Sequence, residues 1–413
     1  MIAKVNWMNE FRHMMQRVLK NKWAEQWITA SLVLLFIGLM VSRAMVSFAS
    51  VLIVVPFFFN LKEIKRTYLL AIVLLLLPVL LSGYWSTNKG LWWNSLSVKL
   101  PLLTMMLGLS SVQLSEKRWE QIIWIFLLVI CIGCCWSLLQ YSTAIQDAYL
   151  KAKTLPTPAD NDHIRFSWLV AIAILLAFRC LLSGRQKSMR PVLFLVIVFL
   201  VTYLHILAAK TGLVCLYAGC LFYFLYAVIV QKKWKTALSV IVIATAIASF
   251  YYYTMPTLRN RIQYVMYDFD NYSKGNIMPG YGDASRWLSI RAGYEITTQH
   301  PLGGVGFGDI LNQVDQWHQS NHPSSLFYER FLPANEWLVY GAGSGWPGLI
   351  CFTAGLLLLL FAATSNSGLS IVLSLTSLIP FLIDDTLEGQ NGVVILAFIV
   401  FFGQQKLTAP LHE

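Results

Sequence analysis

Long apolar runs separated by short polar breaks dominate this chain, and within the runs the apolar residues are continuous rather than striped. Runs at 27–41, 44–59, 67–83, 97–112, 119–141, 164–182, 190–207, 210–230, 234–254, 337–363, 367–383 and 391–404 predict about twelve membrane-spanning helices. Backbone N–H and C=O groups in lipid must pair within their own segment, so helices are the expected element. The alternating pattern of an outer-membrane barrel is not visible. Several runs are shorter than the ~20 residues of a straight crossing. The first two are parted only by Ser42 and Arg43, which predicts a tight hairpin or an interrupted pair. One polar interval is far longer than the rest. It divides the chain into a basic amphipathic segment (1–26), nine spans (27–254), a large loop (255–336) and three spans with a short tail (337–413).

Composition sharpens this picture. Of 413 residues, 57% are hydrophobic and 12% charged, where a soluble domain carries about a quarter charged. The expected fold class is an all-α polytopic membrane protein. The net charge of +11 raises the question of nucleic acid, but the basic residues sit in short breaks between spans, where they set topology. Lys62, Lys65, Arg66, Lys117, Arg118, Arg179, Arg185, Lys187, Arg190, Lys232, Lys233 and Lys235 fall on the side of the N-terminus. The opposite breaks hold only Arg43, Lys89, Lys151, Lys153 and Lys210. This bias predicts a cytoplasmic N-terminus, with loop 255–336 and the acidic break at Asp384, Asp385 and Glu388 outside. Residues 1–26, with Trp7, Phe11, Met14 and Met15 among lysines and arginines, fit an interfacial helix and an ordinary basic tail equally well, and lack a cleavable-leader pattern. All seven cysteines lie in apolar runs, so small buried side chains are expected rather than a redox or metal centre.

The large loop predicts two helical pieces, 256–270 and about 286–300, the second capped by Asp283 or Ser285 and ended by His300-Pro301. Gly303, Gly304, Gly306 and Gly308 predict a flexible turn, and 311–332 has the polar, aromatic make-up of a lid. The G-G-x-G-x-G letters do not make a dinucleotide loop, because no strand precedes them. His318 and His322 lack a third clustered ligand, so no metal site is expected.

Arginine forms planar bidentate bonds to phosphate and keeps its charge at any physiological pH. Arg286 in the first turn of a helix adds to free N–H groups that also attract anions, and is weighed against a solvated loop arginine. Lys210 stands between two apolar spans, where a cation either snorkels or serves function. His163 and Arg165 open the sixth run and can add cations to the same outer chamber. Arg291 can pair with Glu295 four residues on. The acidic break is open to two readings, a site for sugar hydroxyls or an amine, or a solvated loop.

At these residues the chain resembles the O-antigen ligase and polymerase superfamily of bacterial inner membranes. S-R-W-L-S-I-R-A-G-Y-E-I at 285–296 and H-P-L-G-G-V-G-F-G-D at 300–309 are similar to that family's loop arginine and the Gly-rich turn after it. A-K-T-G-L at 209–213 is similar to its basic position at the membrane boundary. P-A-N-E-W-L followed by G-A-G-S-G-W-P-G-L at 341–349 resembles its His-Asn motif and Gly-rich helix. The resemblance is sharpest from Asp283 to Gly348 and covers most of the chain in topology.

The resemblance implies a GT-C-like glycosyltransferase of the inner membrane, its large loop in the periplasm, using no nucleotide sugar, metal or other cofactor. It implies a donor glycan on undecaprenyl diphosphate and, in the ligase branch, a lipid A–core acceptor in lipopolysaccharide assembly. The polymerase branch extends another lipid-linked repeat instead. Lys210 and Arg286 would hold the diphosphate. Arg291, Arg165, His163, His322 and Asn335 are the candidates for substrate contact. Two positions depart from the family. Lys210 replaces the usual Arg, a point charge in place of a fork. Ala334 stands where a His is usual, and Ala accepts no proton. Either the chain is an inactive form or another base serves, with Glu336, His322 and His318 nearest. A transporter of lipid-linked glycan is the rival from another class, and the absence of paired repeats argues against it.

Overall fold

The computed structural model describes residues 2–59, 66–112, 114–141, 155–183, 187–274, 282–362 and 368–404. Lys62, Lys65, Lys151, Lys153 and Arg185, part of the orientation argument, lie outside these residues, as do the side chains from Trp7 to Met15. Among the described residues every regular element is a helix. In chain order these are α1 (Ile2–Val41), α2 (Arg43–Phe59), α3 (Arg66–Ser82), α4 (Lys89–Ser110), α5 (Glu116–Leu139) and the single turn α6 (Pro158–Asn161). Next come α7 (His163–Ser183), α8 (Arg190–Leu207), α9 (Lys210–Ile229), α10 (Trp234–Thr254), α11 (Pro256–Ser273) and α12 (Gly282–Gln299). The last five are α13 (Ile310–Asn321), α14 (Glu336–Ala362), α15 (Gly368–Thr376), α16 (Leu378–Ile383) and α17 (Gln390–Gln404).

Among the described residues, seven helices are long and apolar enough to cross a membrane: Lys22–Val41 within α1, α5, His163–Leu182 of α7, α8, α9, α10, and Glu336–Phe361 of α14. Others of the expected twelve fall short of that standard. α2 and α3 have 17 residues each, about 26 Å of helix against a hydrocarbon core of about 30 Å. α4 is longer but carries Asn94, Ser95, Ser97 and Lys99. The run at 367–383 breaks at Ser377 into α15 and α16. α1 runs without a break from Ile2 through the first apolar run to Val41. α1 and α2 do form the tight hairpin, with Ser42 donating back to the Gly38 carbonyl at 2.9 Å.

Lipid offers no hydrophobic drive for helix association, so close packing and interhelical hydrogen bonds must supply it. Phe36 on α1, Phe126 on α5 and Phe398 on α17 meet with ring centroids 5.0–5.1 Å apart. α7 is buried without interruption from Phe166 to Ala177, and α17 from Val393 to Val400, as a helix apolar on every side requires. Pro78 interrupts the α3 ladder, and nearby carbonyls find donors on other helices. Tyr340 Oη donates to Leu75 O at 2.8 Å, Ser344 Oγ to Pro78 O at 3.1 Å, and Trp92 Nε1 to Val79 O at 2.8 Å.

The segment between α10 and α14 folds over one end of the bundle. α11 leaves a broad apolar face open, with Met266 68% and Phe269 60% exposed. α12 packs on α14, and α13, inside the stretch with a lid's composition, packs on both. That stretch is tied to itself: Arg330 Nη1 reaches Asp315 Oδ1 at 2.7 Å, and Leu326 N–H donates to Glu329 Oε2 at 2.7 Å.

Candidate functional site

The Gly-rich run is a clasp rather than a flexible turn. Val305 and Gly306 N–H groups donate to the Ala342 and Gly343 carbonyls at 2.8 and 3.0 Å, and Trp346 N–H donates to Pro301 O at 2.9 Å. Gly304 has φ +63°, and a Cβ there would stand 2.4 Å from the Ala342 carbonyl oxygen, so only glycine fits. α14 breaks at the same level, with Gly345 at φ 67°. Asp309 closes the clasp against the α3–α4 connection, accepting from Thr87 N–H and Thr87 Oγ1 at 2.6 Å each and from Asn88 N–H at 3.1 Å. Burial pushes the Asp309 carboxyl up, but these donors outweigh it and hold the group below its ordinary value.

Beside the clasp, helix ends bring cations and carboxylates into one layer. Lys210, first residue of α9, reaches Asp283 Oδ1 on the first turn of α12 at 2.6 Å. Arg286, one turn along α12, donates from Nη1 to Ile383 O at 2.8 Å and stands 3.4 Å from Asp384 Oδ1. Arg165 on α7 binds Asp162 at 2.9 Å and Asp385 O at 3.0 Å, and lies 3.6 Å from Asp384 Oδ2. Asp384 therefore holds Arg286 and Arg165 together. His163 lies within electrostatic range of Arg261 and Arg286, and Arg261 donates to the Ala208 carbonyl at the end of α8. Burial, then the Asp283 charge, push the Asp268 carboxyl up, with Lys210 opposing. Lys210, Arg286 and the neighbouring His163 and Arg165, from three distant parts of the sequence, thus share one end of the bundle. Asp283 and Ser285 lie inside the first turn of α12, which starts at Gly282, so neither stands before the helix as the expected cap.

The remaining candidates fall elsewhere. Arg291 pairs with Glu295 at 2.9 Å, and Glu295 also accepts from Trp317 Nε1 at 2.6 Å. Five residues after Arg286, it points roughly 140° around the helix from it. His322 belongs to this second group, its ring 5.3 Å from that of Trp317. Burial and then the Arg291 charge hold its imidazole below the ordinary value. His318 is fully buried, with Nδ1 3.1 Å from Ser325 Oγ. Asn335 caps α14, its Oδ1 accepting from Leu338 N–H at 3.2 Å while Nδ2 donates to Leu382 O at 3.0 Å. Ala334 is buried, its N–H bound to Ser289 Oγ at 3.0 Å.

The acidic break is neither a solvated loop nor wholly a surface feature. Thr386 and Leu387 are 1% exposed. Glu388 accepts from Ser95 Oγ at 2.8 Å and pairs with Lys99 Nζ at 2.5 Å. Lys99 is ten residues into α4, so the turn reaches about 15 Å along that helix. Glu336, fully enclosed, accepts the Leu387 N–H on Oε2 at 2.8 Å, and its Oε1 has no hydrogen-bond partner. Lys99 and Asp309 are not among the residues that the sequence singles out. A lysine inside an apolar run was the available signal for the first; the Asp309 contact spans more than two hundred residues and left none. No protein-family model matches the chain, and no curated protein matches it.

Proposed function

We propose that this chain is a glycosyltransferase of the O-antigen ligase kind. It moves a glycan from undecaprenyl diphosphate to a hydroxyl of lipid A–core, at the periplasmic face of the bacterial inner membrane, through about twelve membrane helices. The observation that carries the reading is the convergence of Arg286, Arg165 and Lys210 at one end of the bundle, each beside a carboxylate. A diphosphate leaving group develops negative charge, and fixed cations lower the barrier by meeting that charge where it forms. Asp384 and Asp283 position the cations before substrate arrives, and the incoming diphosphate replaces them as the partner of Arg286 and Lys210. The half-exposed side chains of both cations leave them reachable.

Reconstitution tests this directly. Purified protein in liposomes is given undecaprenyl-diphosphate glycan and lipid A–core, with neither nucleotide sugar nor added metal, and glycan on core is measured. Chain lengthening without core would instead mark a polymerase, and movement of the lipid without a new bond would mark a transporter. Arg286→Ala is expected to lower transfer at least about 100-fold, by analogy with the loss of one stabilising donor. An unchanged rate in a folded variant removes Arg286 from the mechanism.

A further inference from the structure

We propose that Asp385 is the base that takes the proton of the attacking hydroxyl, the role that Ala334 cannot fill. This inference rests on the transferase reading above.

The alternatives are closed by their surroundings. Ala334 offers a methyl group, and it is 2% exposed. Glu336 is 0% exposed and spends Oε2 on the Leu387 N–H, so a sugar hydroxyl has no way to reach it. His318 is equally enclosed. His322 stands with Arg291, Glu295 and Trp317, away from the α12 face that carries Arg286. Asp384 is 9% exposed and keeps Arg165 at 3.6 Å as its partner even when the diphosphate takes Arg286 from it.

Asp385 differs from all of these. Its side chain is 31% exposed, and its closest cation is Arg165 at 3.8 Å, too far for a hydrogen bond. The firm contact with Arg165 uses the backbone carbonyl, which takes Nη2 at 3.0 Å, while the carboxylate accepts the residue's own N–H and remains partly open to solvent. Its neighbour Asp384 touches Arg286, so the open carboxylate stands one residue from the proposed diphosphate site. The charged groups around it come from every element packed there. Asp384 and Glu388 share its turn, Asp162 and Arg165 come from the start of α7, Arg286 from α12 and Glu336 from α14. Lys99 of α4 balances Glu388. The net effect of burial, then of the Asp384 charge, against the opposing Arg165, is to push the Asp385 carboxyl up to about 8. A base works best when its proton affinity lies near the working pH, which an ordinary aspartate does not meet.

The step balances without any further reactant. A lone pair on the acceptor oxygen forms the bond to the anomeric carbon. The bond from that carbon to the diphosphate oxygen breaks, and its electron pair leaves with the diphosphate towards Arg286 and Lys210. The hydroxyl proton passes to a carboxylate oxygen of Asp385, which later returns it to water.

The test is the pH dependence of kcat/KM for the full chain in liposomes, with undecaprenyl-diphosphate glycan and lipid A–core as substrates. Wild type is expected to gain rate as pH rises through about 8. Asp385→Asn is expected to lose about 10²–10⁴-fold in kcat and to lose that rise. Asp385→Glu keeps the charge beside Arg165, so it should retain a rise displaced along the pH axis, at a reduced rate. Adding Ala334→His to Asp385→Asn should recover part of the rate with a rise nearer the pH of an ordinary imidazole. The inference is overturned if Asp385→Asn keeps the wild-type rate and profile, or if Asp385→Glu leaves the profile unmoved. A wild-type protein that transfers nothing overturns the transferase reading, and this inference with it.

Discussion

Two lysines on neighbouring parts of the fold have opposite lives. Lys210 has 49% of its side chain exposed and meets Asp283 where α9 and α12 begin. Lys99 is 2% exposed and meets Glu388 inside the bundle, with Ser95 Oγ at 2.9 Å and the Phe307 ring centroid 5.3 Å from its ammonium. The first can exchange its carboxylate for another anion, because water already solvates what it gives up. The second cannot, because both charges were taken out of solvent together and neither survives alone. Lys99 pins the acidic turn to α4 from within, and Asp384 and Asp385 at the other end of that turn face the arginines. One short turn thus joins the arginine-facing carboxylates to the buried Lys99–Glu388 pair.

The largest effect should come from breaking the buried pair. Lys99→Met leaves Glu388 enclosed and unpaired, and should destabilise the protein by about 3–5 kcal/mol. Thermal unfolding in detergent checks this, and Lys99→Met with Glu388→Leu should recover most of the loss. If the single and double variants melt together, the pair does not anchor the turn. Next in size is Asp309→Ala, which removes the three hydrogen bonds that hold the Gly-rich clasp on the α3–α4 connection. A cost of about 3 kcal/mol is expected, since bonds to a charged acceptor contribute about 1.5–3 kcal/mol each and overlap here. Because the folded-state carboxyl lies below its ordinary value, its contribution is full above that ordinary value and is lost as pH falls through the lower folded one. Asp309→Asn should therefore flatten the acid limb of the stability profile. The smallest change in stability belongs to Lys210→Ala, under about 1 kcal/mol for so exposed a pair, yet the same variant should lose most transfer activity. Lys210→Arg should restore it. A Lys210→Ala protein with full activity would place this lysine with the architectural charges.

Much of this was legible in the chain. Most apolar runs located a helix within a few residues, because burial of backbone groups in lipid leaves little other choice, but α1 reaches back to Ile2, α4 starts at Lys89 and the run at 367–383 is two helices. The long polar interval and its helices at Pro256–Ser273 and Gly282–Gln299 followed from spacing and composition. Lys210 and Arg286 stood out as cations at helix starts. The sequence also suggested that Arg291 pairs with Glu295, and it does, at the fixed four-residue interval of a helix. The Gly-rich run was harder. Its letters indicate freedom, while its fold uses that freedom to bring two backbones within hydrogen-bond reach.

By itself, then, the sequence determined that this is a helical membrane protein with cations gathered near one polar interval, because periodicity and charge act locally. Which carboxylate each cation meets, which acid stays open to solvent and which lysine is buried were decided only in three dimensions. Those outcomes depend on Asp384, Asp385 and Glu388 folding back between α4, α7, α12 and α14. Local pattern cannot specify contacts between residues two or three hundred positions apart, since they exist only once the helices have packed.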